Sequence, residues 1–199
     1  MMQSLLSYNA LVRKVDEFVE RTVRKYAPYI SCRIGCSFCC ECSFGVFPVE
    51  AWAVRVWLGE KEEREREKIL EQLAPSSGKA CPALGERRCV IYPVRPILCR
   101  TQGLPVLKAR ERGTLELSFC KENFRAAGST IKIEGQFILN LENLNAALAT
   151  VNEWFRREWS SLGRGDLPER VKVTHFLEEL TSKGEKTGKE DIDQMGRFW

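Results

Sequence analysis

The chain has 199 residues, of which 44% are hydrophobic and five are tryptophan, so it can bury a real core as one domain or one domain with an extension. Its 31 basic and 27 acidic residues leave a net charge of +4, which is too balanced to indicate nucleic acid or a membrane surface as a partner. No apolar run reaches the roughly 20 residues that cross a bilayer, and the first residues do not have the pattern of a signal peptide.

Helical periodicity dominates the first third of the chain. Apolar residues at helical spacing predict a helix over residues 5–27. The cysteine-rich stretch 32–42 follows as a loop, and Pro48 then opens a second helix, which Gly59 interrupts. Mixed charges over 60–73 predict a further helix with a solvated face and i,i+4 ion pairs.

Prolines and weak periodicity mark residues 81–120 as an irregular region, with short strands predicted around Val106 and over 115–119. A clear helix follows over 141–159. Its apolar stripe, which we expect to pack on the core, consists of Leu141, Leu144, Leu148, Val151 and Phe155. Asn140 is predicted to cap this helix.

The end of the chain is predicted to hold one more helix and a polar tail. Asp166, Pro168 and Glu169 have the types and spacing of a cap, a first-turn proline and a capping-box partner. They predict a helix over about 167–180. The polar residues beyond it favour a loosely held tail.

The nine cysteines fall into an upstream and a downstream group. They are, in chain order, Cys32, Cys36, Cys39, Cys40 and Cys42, then Cys81, Cys89, Cys99 and Cys120. An odd number cannot pair completely, and the lack of an export signal predicts a cytoplasmic protein, where clustered cysteines more often bind metal than form disulfides. The single histidine, His175, is predicted to be an ordinary surface or boundary residue. The sequence therefore predicts a site of thiolates, which select zinc or iron–sulfur clusters.

The adjacent pair Cys39 and Cys40 constrains how such a site is arranged. Neighbouring side chains diverge by about 100° in a helix and alternate in a strand, so these two do not easily chelate one ion together. We expect them to serve different irons or different metals, or one to bind while the other supports it.

The spacing C-x-x-x-C-x-F-C over 32–39 also has the form of the motif of radical S-adenosylmethionine enzymes. Those enzymes need a long run of strand–helix repeats, which the residues after the motif do not show. Four further cysteines could also close the open iron of such a cluster. The sequence therefore favours a metal site over a radical enzyme.

The stretch "CPALGERRCVIYPVRPILCR", over 81–100, completes a characteristic order of motifs. C-x-x-x-C-x-x-C-C, an acidic residue in a helix, C-P-x-L, C-x-I-Y, R-P-x-x-C-R and a later cysteine together resemble the YkgJ-type cysteine-cluster family, described as a zinc- or iron-chelating domain. The resemblance covers about residues 30–120. It implies eight metal ligands: Cys32, Cys36, Cys39, Cys40, Cys81, Cys89, Cys99 and Cys120. Cys42 departs from the family pattern.

Four other residues that match the family pattern are predicted to contact the bound group. Arg95 and Arg100 can donate hydrogen bonds to cluster sulfides, to thiolates or to a carboxylate such as Glu50. Tyr92 can pack over the site and exclude water.

The leading interpretation is a metal-binding protein whose eight cysteines chelate an iron–sulfur cluster, with a 4Fe-4S cluster favoured, or zinc. The adjacent pair and the C-x-x-x-C spacing are less usual for zinc modules, which favour C-x-x-C knuckles. Two alternatives stay open. One is a metal-dependent protein-modifying enzyme such as a lysine N-methyltransferase, because flagellin lysine N-methylases are distantly similar. The other is a zinc-stabilised interaction module, which would have a protein partner.

The predicted fold is mainly α, with irregular cysteine-rich loops and little β structure, as a small helical domain organised around a metal centre. We expect residues 1–125 to form the cysteine-cluster metal-binding domain. Residues 126–199 are expected to form a helical C-terminal extension that packs on it and ends in the polar tail.

Overall fold

The computed structural model describes residues 2–33, 35–41, 44–73, 80–85, 88–110, 113–125 and 131–182. Within these ranges the protein is mainly α-helical, as predicted. Its helices are α1 (Gln3–Lys25), α2 (Pro48–Gly59), α3 (Glu63–Glu71), α4 (Ile97–Thr101), α5 (Leu141–Ser161) and α6 (Val173–Ser182). Its short strands are β1 (Gly45–Val46), β2 (Leu84–Gly85), β3 (Arg88–Cys89), β4 (Val106–Ala109), β5 (Leu115–Ser118), β6 (Leu139–Asn140) and β7 (Val171–Lys172).

Two buried apolar clusters hold the helices together. The first joins α1, α2 and α5 and includes Tyr8 and Phe155, and Ile97 extends it to the start of α4. The second joins α2, α3 and α6 and includes Leu58 and Leu177. Because α2 contributes buried side chains to both clusters, it is the central element of the fold.

Two of the three small sheets in the described ranges connect distant parts of the chain. β4 pairs antiparallel with β5 and parallel with β6, and β2 pairs antiparallel with β3 as a hairpin. β1 pairs antiparallel with β7, with Gly45 opposite Lys172 and Val46 opposite Val171. Strands β6 and β7, which lie after residue 126, are therefore hydrogen-bonded to strands that lie before it.

The two longest helices follow the prediction closely. α1 is shifted by two residues from the predicted 5–27, and α5 begins at the predicted residue. The Asn140 side chain caps α5 by accepting a hydrogen bond from the backbone N of Asn143 at 3.0 Å. The apolar stripe of α5 faces the core as expected, since Leu148, Val151 and Phe155 are buried.

The helix predicted over 167–180 is wrong at its start, because α6 begins only at Val173. The residues before it are extended and form β7 against β1. Arg170 holds this arrangement: its guanidinium lies 3.9 Å from the centre of the Phe47 ring, and its Nη1 donates to the carbonyl O of Gly45 at 3.3 Å. Tertiary pairing therefore overrides the local capping signal at Asp166.

The charged segment forms a shorter helix than predicted, Glu63–Glu71, and none of its residues is buried. Just before it, Lys61 Nζ lies 2.9 Å from Glu65 Oε1, which is one of the expected i,i+4 ion pairs. Over the described ranges, no helix has both the length and the apolar character needed to cross a membrane.

Candidate metal centre

Eight of the nine cysteines lie in the described ranges, and no disulfide joins any of these eight. They come from four segments: the loop after α1, the β2–β3 hairpin with the residues just before it, α4, and the turn after β5. In that order they are Cys32, Cys36, Cys39 and Cys40; Cys81 and Cys89; Cys99; and Cys120. Each is exposed or of intermediate burial, so all eight side chains lie near the surface. Cys42 lies outside the described residues.

The loop that carries the first four cysteines makes two tight turns. Gly35 has a φ of +91°, a left-handed conformation that side chains with a Cβ rarely adopt. The turn at Gly35 is closed by the backbone N of Cys36, which donates to the carbonyl O of Arg33 at 3.0 Å. A single 3-10 turn over Phe38–Cys40 follows. These turns keep successive cysteines close in space, which ligand spacings of two or three residues require.

Cys32 and Cys120 are brought together through Gly103 and Asn123. A Cβ placed on Gly103 would lie 2.9 Å from Cys32 Sγ and 3.5 Å from the Cβ of Cys120. The side-chain Nδ2 of Asn123 lies 3.5 Å from Cys32 Sγ, and its backbone N donates to the carbonyl O of Cys120 at 2.9 Å. The first and the last of the eight cysteines are therefore neighbours.

The electrostatic environment of Cys32 identifies its thiol neighbours. Burial raises the pKa of Cys32, and the hydrogen bond from Asn123 opposes that increase. The thiols of Cys36, Cys120 and Cys39 raise the pKa of Cys32 further, because negative charge on any of them repels a Cys32 thiolate. A bound cation would relieve this mutual repulsion.

The remaining cysteines surround the β2–β3 hairpin and α4. The backbone N of Cys81 donates to the carbonyl O of Cys40 at 2.7 Å, which joins the first loop to the hairpin. The backbone N of Leu84 donates to the carbonyl O of Cys81 at 2.9 Å, and the hairpin register places Leu84 opposite Cys89. Leu84 therefore connects the two cysteines, since it is hydrogen-bonded to Cys81 and lies opposite Cys89 in the hairpin.

The thiols of this second group also act on one another. Burial raises the pKa of Cys89 to about 11. Burial likewise raises the pKa of Cys99, and the thiols of Cys89, Cys81 and Cys39 add to the increase. A cluster of thiols that repel one another when ionised is the arrangement that a thiophilic cation stabilises.

Cys39 and Cys40 interact directly with each other. A hydrogen bond between their side chains raises the pKa of Cys39 and lowers that of Cys40, so Cys39 is the donor and Cys40 the acceptor. The set of thiols that acts on Cys32 and the set that acts on Cys99 therefore meet at Cys39 and Cys40. The assignment of the two thiols to different irons or different metals stays a prediction.

The donor set fits a thiophilic metal by its chemistry, since thiolates are the ligands that zinc and iron–sulfur clusters select. Among the described residues, however, no group of three or more histidine, cysteine, aspartate or glutamate side chains is arranged so that it could hold a metal ion. His175 lies on the surface of α6, as predicted, with its Nε2 3.6 Å from Glu179 Oε1.

Glu50 is buried and holds two helix starts. Its side chain is 3% exposed, Oε2 accepts a hydrogen bond from the backbone N of Phe47 at 2.9 Å, and Oε1 accepts one from the backbone N of Ile97 at 3.0 Å. Burial raises the pKa of Glu50, and these two hydrogen bonds oppose the increase. Glu50 therefore ties α2 to α4, the helix that carries Cys99.

Arg100 donates to α1 and to the turn before α4. Its Nη1 lies 2.9 and 2.7 Å from the two carboxylate oxygens of Asp16. Its Nε donates to the carbonyl O of Arg95 at 2.9 Å, and its Nη2 donates to the carbonyl O of Pro93 at 2.8 Å. The carboxylate partner predicted for Arg100 is thus Asp16 and not Glu50, because α4 packs beside α1.

Arg95 and Tyr92 form a pair at the surface. The Arg95 guanidinium lies 3.8 Å from the centre of the Tyr92 ring, and its charge lowers the pKa of the Cys89 thiol. The Arg95 charge therefore acts on a thiol, and a hydrogen bond from Arg95 to a bound group stays a prediction. Tyr92 is 59% exposed, and this exposure does not fit the predicted role of excluding water from the site.

Sequence reasoning missed Gly103 and Asn123. A glycine shortly after a short helix is a common stop signal, and Gly103 has a φ of +83° after α4. That signal predicts the turn but not the contact with Cys32. Asn123 carries no signal beyond the general preference of asparagine for turns. Both contacts arise only when the loop after α1 meets the turn after β5.

The eight described cysteines, carried by four segments of a small helical scaffold, have the donor chemistry of a metal-binding domain of the cysteine-cluster class. Residues 31–121 match the model of the CxxCxxCC family, described as a "putative zinc- or iron-chelating domain". The match covers just under half of the chain; it confirms the resemblance predicted from the cysteine spacing over this stretch and supports a general metal-binding function. No curated protein and no solved structure matches the chain.

Proposed function

We propose that the eight described cysteines bind metal as two neighbouring four-thiolate centres, each holding an iron–sulfur cluster in preference to zinc. The observation that supports the proposal is that thiols from four segments, distant in the sequence, shift one another's pKa values in two sets, one around Cys32 and one around Cys99, and that Cys39 acts on both. Four thiolates are the usual complement of a 4Fe-4S cluster or of a structural zinc ion.

The contacts on each side support a particular division of the ligands. The first centre takes Cys32, Cys36, Cys39 and Cys120, and the second takes Cys40, Cys81, Cys89 and Cys99. Cys120 belongs with Cys32 because Gly103 and Asn123 join them. Cys40 belongs with Cys81 because their backbones are hydrogen-bonded at 2.7 Å. Cys39 interacts with both groups, and we assign it to the first because the second is already complete with four thiols.

The cysteine spacing favours iron–sulfur clusters over zinc. The C-x-x-x-C-x-x-C-C run differs from the paired C-x-x-C knuckles of zinc modules. With four thiolates, either a four-iron cluster or a zinc ion carries about two negative charges, which favours cationic neighbours in both cases. Arg95 supplies one such charge, since it already acts on the Cys89 thiol. A bound cluster would supply electron transfer or a rigid cross-link between the four segments.

The rest of the chain supports this site mechanically. We infer that residues 1–125 form the cysteine-cluster domain of a cytoplasmic protein and that an extension packed on it begins at about residue 126. Helix α5 packs against α1 and α2, and strand β6 pairs with β4 close to the turn that carries Cys120. The extension thereby packs against α1, α2 and β4, the elements that flank the proposed centres.

Anaerobic purification with metal and sulfide analysis tests the identity of the bound group. We expect a brown protein that contains iron and acid-labile sulfide and absorbs visible light, because sulfide-bridged iron has charge-transfer bands that zinc lacks. A colourless protein with stoichiometric zinc would refute the iron–sulfur proposal and leave thiolate chelation standing. A protein with neither metal, after reconstitution with each, would refute both.

Single serine substitutions test the ligand assignment. Cys36→Ser and Cys99→Ser are each expected to lower the bound metal by about half, because each removes one of the four ligands of a different centre. Cys42→Ser is the matched control and is expected to keep the full metal content, since Cys42 departs from the family pattern. An equal loss from Cys42→Ser would show that Cys42 is a ligand. Complete loss from either of the other variants would favour a single shared centre.

A further inference from the structure

We propose that Asn123 is a positioning residue for Cys32, whose side-chain amide donates a hydrogen bond to the metal-bound sulfur and keeps it beside Cys120. This inference rests on the proposed metal-binding function and adds a residue outside the cysteine set. Asn123 is 1% exposed, so its polar atoms must find partners within the protein.

The orientation of the Asn123 amide is fixed by backbone groups. Its Oδ1 accepts a hydrogen bond from the backbone N of Ser31 at 2.8 Å, and its Nδ2 donates to the carbonyl O of Gly103 at 2.6 Å. A backbone N–H can only donate and a carbonyl can only accept, so exchanging Oδ1 and Nδ2 would break both bonds. The amide therefore has one orientation.

That orientation directs the second N–H of the amide at Cys32. Nδ2 lies 3.5 Å from Cys32 Sγ, and Oδ1 lies 3.6 Å from the same sulfur. A protonated thiol can donate to Oδ1, but a thiolate can only accept and so uses the N–H. Because metals bind the thiolate, the N–H···S hydrogen bond is the contact that remains on metal binding, and the charge on the sulfur strengthens it.

The surrounding backbone is built to hold this contact. Ser31 Oγ donates to the carbonyl O of Glu122 at 2.8 Å, and the backbone N of Phe124 donates to the carbonyl O of Tyr29 at 2.6 Å. These bonds fasten the loop before Cys32 to the turn after Cys120. Gly103 leaves the necessary room, since a Cβ there would lie 3.1 Å from Asn123 Nδ2 as well as 2.9 Å from Cys32 Sγ.

The test compares Asn123→Asp with wild type, using Co²⁺ as the probe metal in the full chain. The aspartate keeps the size of the side chain but replaces the N–H donor with an anionic oxygen, which repels the thiolate. We expect release of Co²⁺ to a chelator to become about tenfold faster or more, the usual cost of losing a partner that orients a ligand. The thiolate-to-cobalt absorption should also move to longer wavelength, because the unbonded sulfur is a stronger donor.

Asn152→Ala is the matched control. Asn152 is also buried, at 4% exposure, and its Oδ1 accepts a hydrogen bond from the backbone N of Val49 at 3.2 Å, in contact with α2 and not with a cysteine. This variant should lose stability without a change in the cobalt absorption. An effect of Asn152→Ala on the absorption equal to that of Asn123→Asp would show that both act only through the fold and would overturn the proposal.

Three outcomes separate this inference from the proposed function. If wild type fails to bind Co²⁺ at all, this inference fails, while the iron and sulfide analysis still decides the proposed function. If wild type binds and Asn123→Asp has the same release rate and spectrum, only the role of Asn123 is overturned. If Asn123→Asp does not fold, the side-chain ¹⁵N–¹H signals of Asn123 in wild type decide: we expect a shift when diamagnetic Cd²⁺ is added, and an unchanged pair of signals would overturn the proposal.

Discussion

Glu50→Ala is expected to lower the free energy of unfolding by about 2–6 kcal/mol. Both carboxylate oxygens accept backbone N–H groups, from Phe47 and Ile97, and each buried N–H left without an acceptor costs about 1–3 kcal/mol. Because Ile97 begins the helix that carries Cys99, the bound metal should fall as well. Urea denaturation of the metal-free protein, followed by circular dichroism, measures the first effect, and metal analysis measures the second.

Glu50→Gln is the matched control for this substitution. Glutamine keeps the volume of the side chain and one acceptor oxygen, so we expect a smaller loss of stability than from alanine. Equal losses from both variants would show that the charge of Glu50, and not its acceptor geometry, holds α2 to α4.

The pH dependence of stability gives a second check on Glu50. Burial raises the pKa of its carboxyl in the folded protein, so the folded state binds that proton more tightly than the unfolded state. The part of the stability that comes from binding this proton is therefore fully present below the ordinary pKa of 4.5 and is lost as the pH rises through the folded pKa. Glu50→Gln should flatten this part of the curve, and an unchanged slope would contradict the assignment.

Arg100→Met is expected to lower the free energy of unfolding by about 2–4 kcal/mol. Removing one partner of a buried ion pair costs about 3–5 kcal/mol, and we reduce that figure because the Asp16 side chain is 36% exposed. The loss also releases the carbonyl oxygens of Pro93 and Arg95, which shape the turn before Cys99. Denaturant titration of the metal-free variant measures the change.

Two further variants show whether this effect belongs to the buried pair. Arg110→Met removes an arginine that pairs with Glu116 at the surface, and we expect it to change stability little because solvent screens exposed pairs. Asp16→Asn combined with Arg100→Met completes a double-mutant cycle. Independent effects of the two substitutions would contradict a direct interaction between Arg100 and Asp16.

The chain order of cysteines was sufficient to identify the domain family, because the ligand spacings are set by the covalent chain itself. Periodicity was sufficient for α1 and α5, since each has an apolar stripe and α5 has a strong local cap at Asn140, whereas α2 was predicted from the proline at its start. These features depend on residues that are close together in the chain, so they can be predicted from the sequence alone.

Other features depended on the tertiary structure because their partners are distant in the chain. The capping signal at Asp166 yielded to the pairing of β7 with β1, more than a hundred residues away. Arg100 was predicted to donate to cluster sulfides, to thiolates or to a carboxylate such as Glu50, but the packing of α4 beside α1 gives it Asp16. The hydrogen bond between the thiols of Cys39 and Cys40 also had no signal in the sequence.

The sequence by itself therefore determined the kind of donor, the family and the order of the main helices. Only the tertiary structure decided which cysteines are neighbours, and that Gly103 and Asn123 join the first of them to the last. The physical reason is that thiol chemistry is a property of single residues, whereas the grouping of eight thiols depends on loop closures that bring segments from Cys32 to Cys120 together.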